Sequence, residues 1–88
     1  MTLTTKNIKN IAESIAEDMI YKMYEKMPRT IYTHVEDMTI DLLDFGYDAM
    51  AEVEVEYGYD INLAYIEVVN ITIKRVYDEE DNTLSMVA

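Results

Sequence analysis

The chain has 88 residues, 18 acidic against 7 basic, for a net charge of −11 with its single histidine neutral; half of it is apolar. Its length supports one domain, residues 1–88, and the apolar content excludes intrinsic disorder. Zero cysteine excludes a disulfide scaffold and thiolate zinc sites, and the charge opposes direct binding to nucleic acid or an anionic membrane.

The first predicted element is one helix over about residues 5–27. Ile8, Ile11, Ile15, Met19, Met23 and Met27 recur on a single helical face, flanked by Ala12, Ala16, Ile20 and Tyr24. Thr4 or Thr5 supplies the N-terminal cap, and Pro28 stops the run. Asp18 with Lys22 and Glu25 with Arg29 form pairs along the wet side, each adding roughly 0.2–0.5 kcal/mol. About 22 residues at 1.5 Å each make a rod of roughly 33 Å, long enough to lie along a ten-residue strand. The stripe assigns Met19, Met23 and Met27 to the core rather than to an adaptable groove.

The sheet is expected over about residues 30–87. Within 30–45, Ile31, Val35, Met38 and Leu42 keep helical spacing, with Thr33 and Glu36 as a capping box, while Met38, Ile40 and Leu42 also alternate as a strand does. Threonines and β-branched residues favour the strand. Residues 49–57 have a clean period of two. Ala49, Ala51, Val53, Val55 and Tyr57 alternate with Met50, Glu52, Glu54 and Glu56. Turn residues 58–62 follow. Residues 63–77 then read as a long strand, with Ile66 and Val68 on one face but Val69, Ile71 and Ile73 on the other. That phase change predicts a β-bulge near Val68 and Val69, or else a strand covered on both faces. After an acidic turn at 78–82, Leu84, Met86 and Val87 are expected to add a short final strand. The expected fold is α+β, one long N-terminal helix packed on a three- to four-stranded antiparallel sheet.

Charge is unevenly distributed. Residues 1–29 carry a net +1 and 74–88 a net −2, whereas 30–73 hold ten acids and no Lys or Arg. Such a stretch is either a solubility device or a surface shaped for a basic partner.

Catalytic chemistry finds no foothold. His34 has no cysteine to activate, Ser14 lies in the helix and Ser85 in the tail, so no nucleophile and base are placed together. Glu52, Glu54 and Glu56 stand roughly 6.5–7 Å apart in steps of two, a spacing open to glycoside chemistry, but an exposed strand face offers no cleft. The 78–82 run lacks the glycine and the downstream glutamate of a calcium loop, and Gly46 and Gly58 are isolated, so no phosphate loop is present. The expectation is a non-enzyme with no catalytic residue, no metal site and no cofactor.

Tyr47, Tyr57, Tyr59 and Tyr65 cluster around the acidic strands, and tyrosine is enriched at binding hot spots. A row of carboxylates at every second strand position is also a regular line of negative charge, comparable to a phosphate backbone. The run 51–57 (Ala-Glu-Val-Glu-Val-Glu-Tyr), then Ile66-Glu67-Val68-Val69-Asn70-Ile71 and the acidic turn 78–82, resembles small acidic proteins of phages and prophages. The resemblance covers the C-terminal half and carries no catalytic motif. It implies a phage-encoded inhibitor, a DNA mimic or anti-CRISPR-like protein, acting in the host cytoplasm.

Together these lead to an acidic binding protein that blocks a basic, nucleic-acid-binding host protein. Its expected binding residues are Asp48, Glu52, Glu54, Glu56, Tyr57, Tyr59 and Asp60, displayed with no compensating cation nearby. The alternative is a small assembly protein, a homo-oligomer formed through the helix face or a sheet edge.

Overall fold

The computed structural model describes residues 3–27, 32–62 and 64–84. Expectations placed on Pro28, Arg29, Thr30, Ile31, Leu63, Ser85, Met86 and Val87 lie outside the described residues. The elements run α1 (Thr5–Asp18), α2 (Ile20–Lys26), β1 (Thr33–Asp41), a 3₁₀ turn (Leu42–Phe45), β2 (Met50–Asp60) and β3 (Tyr65–Tyr77). The α+β class and antiparallel sheet are as expected; the single long helix is not.

The helical stretch breaks at Met19. Thr4 caps α1 by accepting the Asn7 amide on Oγ1 at 3.1 Å, and Ile8, Ala12 and Ala16 point fully into the core. The Ala16 carbonyl then accepts the Tyr57 hydroxyl at 3.2 Å and the Met19 amide at 3.1 Å. A buried side chain has entered the i→i−4 ladder, the turn has tightened, and a second helix of 7 residues starts at Ile20. Asp18 and Lys22 consequently fall in different helices. Met23 and Met27 are buried and Met19 is half-buried, so most of the methionine stripe serves the core.

Residues 33–41 form a strand, as their β-branched content favours, and not a capped helix. Asp41 accepts the Leu43 amide at 3.0 Å, turning the chain into the 3₁₀ segment, which Gly46 ends at a left-handed φ of 89°. The sheet is a three-stranded meander, β1-β2-β3, antiparallel throughout. No fourth strand forms among the described residues, although Thr83 bridges Tyr77 and the Leu84 amide donates to the Val76 carbonyl at 2.8 Å.

Two register shifts in β3 set which way its side chains point. Glu56 pairs with Asn70 but Tyr57 with Val68, leaving Val69 as an extra residue; Glu52 pairs with Arg75 but Val53 with Ile73, leaving Lys74 extra. The first is the bulge expected near Val68 and Val69. With both in place, Ile66, Val68, Ile71, Ile73 and Val76 all share the helix-facing side with Ala51, Val53, Val55 and Tyr57. The four β2 residues are each 0 % exposed, and burying a valine fully contributes about 1.5–3 kcal/mol.

Candidate partner-binding surface

The face of the sheet opposite the helices is built by the other half of each alternation. Across the strands, Val35, Glu56 and Asn70 form one row, Asp37, Glu54 and Thr72 the next, and Thr39, Glu52 and Arg75 a third. Asp41 and Glu67 lie further out on the same face. Glu52, Glu54 and Glu56 do form an outward ladder on the central strand, half-buried between their neighbours. The β1 acids Asp37 and Asp41 extend it sideways, which the sequence reading missed. Their signal was available once 33–41 is taken as a strand, because residues i and i+2 share a face.

This ladder is not free of cations, contrary to expectation. Lys74 reaches over the sheet to Asp37 Oδ1 at 3.3 Å and Glu54 Oε2 at 3.9 Å. The cause is the second bulge, which turns both Lys74 and Arg75 toward the acidic side; the three-residue step from Ile73 to Val76 is its trace in the sequence. Arg75 sits opposite Glu52 but spends its guanidinium on Asp81 Oδ1 at 2.6 Å, with its Cζ 4.6 Å from the Tyr77 ring centre. One amine therefore offsets part of a field made by several carboxylates, in solvent-exposed geometry where such pairs are weak. Asp37, Thr39, Glu52 and Lys74 also line a shallow depression of about 280 Å³.

Tyr57 is not part of this surface. It lies on the helix-facing side, 0 % exposed. Burial first, and the Glu36 charge second, raise its phenol above the ordinary value. The alternation that exposes the glutamates is what buries it. Tyr59 shares Tyr57's phase and packs partly against the core. Asp48 is exposed in the bend ahead of β2, and Asp60 ends β2, accepting the Asn62 amide at 2.9 Å. Tyr65 donates its hydroxyl to Glu67 at 3.2 Å, and that neighbouring carboxylate pushes the phenol up. Of the expected residues, the fold thus gathers the three glutamates, leaves both aspartates at the ends of β2, and turns both tyrosines inward.

His34 lies on the helix-facing side of β1, with Nε2 2.7 Å from Glu36 Oε1, the same oxygen that takes Lys26 Nζ at 2.9 Å. The histidine hydrogen bond, then the lysine, hold the Glu36 carboxyl below its ordinary range. This cluster ties the end of α2 to β1. Among the described residues no group of His, Asp and Glu is arranged to hold a metal ion, and no helix is long and apolar enough to cross a membrane. Comparison with protein-family models, curated proteins and solved structures finds no match. What the outer face can do chemically is accept: its carboxylates suit guanidinium and ammonium groups.

Proposed function

We propose that this protein is a non-enzymatic acidic binding protein whose outer sheet face engages a basic surface on a nucleic-acid-binding protein, in the manner of a phage-encoded inhibitor acting in the host cytoplasm. The observation that carries the reading is the Glu52, Glu54 and Glu56 ladder, widened by Asp37 and Asp41, on a rigid central strand with Lys74 as its offset. Pairing on both sides fixes the backbone register of the carboxylates, and their field steers a basic partner toward them. The methionine stripe supports no helix-face assembly, because Met23 and Met27 are already buried within the monomer.

The test is competition. Basic DNA-binding proteins are loaded with labelled duplex, and release of the DNA is followed while this protein is titrated in. Release is expected to weaken steeply between low and moderate salt. The Glu52→Lys, Glu54→Lys double variant should lose it while keeping its circular dichroism spectrum. Release that survives this charge reversal, or ignores salt, overturns the reading.

A further inference from the structure

The two edges of the sheet are finished differently. On β3, the Ile66 amide donates outward to the Tyr24 hydroxyl at 3.1 Å. The Val76 carbonyl is taken by Leu84, Tyr77 bridges Thr83, and both bulges interrupt the strand. These are the devices by which sheets close an edge. Among the described residues, β1 shows no such bond, bridge or bulge. It runs 9 residues without a register shift and, among the described residues, pairs with β2 alone.

The free groups on β1 can be assigned. The Tyr59 amide donates to the Tyr32 carbonyl and the Leu42 amide to the Ala49 carbonyl, so the bonded positions of the ladder are the even-numbered ones. By the alternation of an antiparallel pair, the N–H and C=O groups of Thr33, Val35, Asp37 and Thr39 face away from β2, as does the N–H of Asp41, whose carbonyl belongs to the 3₁₀ segment it caps. The sides flanking this edge are covered only in part, with Lys26 of α2 reaching Glu36 on the inner side. The helices lie over β3 and β2, leaving Met38 half-exposed on the inner side, while Val35 is 50 % exposed on the outer.

We propose that β1 is a docking strand for an extended basic segment of the partner protein, which joins the sheet as a fourth strand. Its Lys or Arg side chains lie beside Asp37 and Asp41, and its alternate, aliphatic side chains cover the half-exposed Met38. The proposal deepens the acidic-surface reading and rests on it. Charge selects the occupant. β1 carries Glu36, Asp37 and Asp41 and no Lys or Arg; Lys26 takes Glu36 and Lys74 partly offsets Asp37, yet pairing with β1 of a second copy brings no further cation to the edge and joins two molecules of net charge −11 each. A basic strand turns the same rows favourable, with backbone bonds giving affinity and the alternating side chains giving specificity.

The probe is a labelled octapeptide of alternating Lys and Val, followed by fluorescence polarisation and by amide exchange of the protein. Its controls are a block isomer of the same composition and two versions N-methylated at every second residue, one in each phase. The alternating peptide should bind and the block isomer should not. One methylated phase, with about four donors blocked, should lose at least roughly tenfold in affinity, and the other should match the parent. New exchange protection should appear at Thr33, Val35, Asp37, Thr39 and Asp41. Equal binding by both methylated forms without new protection overturns the docking strand; if that binding is still lost in the Glu52→Lys, Glu54→Lys variant, the acidic-surface reading survives. Failure of every peptide also overturns it, with the DNA-release assay deciding the broader reading separately. A dimer with these amides already protected in the protein alone assigns the edge to a second copy and overturns it too.

Discussion

β2 presents two faces made by one backbone, and they obey opposite rules. On one, Ala51, Val53, Val55 and Tyr57 are fully enclosed beneath the helices; on the other, Glu52, Glu54 and Glu56 are half-covered by neighbouring strands and meet solvent. A shift of one position exchanges them. The inner face determines whether the chain folds, because every side chain on it is packed. The outer face is nearly indifferent to folding, which leaves it available for recognition. The difference also shows why a tyrosine and a glutamate adjacent in sequence belong to separate jobs.

The strongest way to break this contrast is truncation on each side. Tyr57→Ala is expected to cost about 3–5 kcal/mol, as for other large aromatic core residues, and to free the Ala16 carbonyl at the helix break. Glu56→Ala should change stability by no more than about 0.5 kcal/mol. Urea denaturation of the two variants checks both; equal costs would remove the distinction between the faces.

Gly58 sharpens it next. A β-carbon there would lie 2.6 Å from Val69 Cγ2, the side chain of the bulged residue. Valine is stiff at χ1 and cannot easily swing clear. Gly58→Ala should therefore cost about 1–3 kcal/mol through overpacking. Adding Val69→Ala, whose side chain is 54 % exposed, should recover most of it, a coupling that a double-mutant cycle reads directly.

How legible all this was follows from period. Residues 49–57 have an unbroken alternation that a single register explains, and the bulge at Val69 showed itself as an apolar residue out of phase. The second bulge left a fainter mark, the three-residue step from Ile73 to Val76 across the polar Lys74 and Arg75, and the sequence reading passed over it. The break at Met19 was not readable from the helix, which has neither proline nor glycine there; its cause is Tyr57, 41 residues away from Ala16. The distribution of charge along the sequence likewise could not reveal that Lys74, from outside the cation-free stretch, crosses to Asp37 and Glu54 in space. Local pattern reported the faces; contacts between distant elements decided the exceptions.

On the inner side, the Lys26, Glu36 and His34 cluster makes one prediction about pH. The folded carboxyl of Glu36 is held below its ordinary value, so its contribution is present above the ordinary carboxylate range and is lost as pH falls through the depressed folded value. Glu36→Gln should remove about 0.5–1 kcal/mol at neutral pH and flatten the acid limb of the stability profile below 4.5. An unchanged limb in thermal melts would show that the cluster does not hold α2 to β1.

A similarly small change in stability is expected at Lys74, on the outer side. Its pairs with Asp37 and Glu54 are solvent-exposed, with the lysine side chain 48 % accessible, so Lys74→Gln should cost only about 0.2–1 kcal/mol. Its effect on recognition runs the other way. Removing the one ammonium that bridges two carboxylates leaves the face more negative without altering its geometry, so a basic partner should bind more tightly and with a steeper dependence on salt. A stabilising lysine that weakens binding would mark the outer face as a compromise between self-repulsion and attraction for a partner. If Lys74→Gln instead weakens binding, the lysine itself contacts the partner, and the field of the acidic ladder is not what draws the two together.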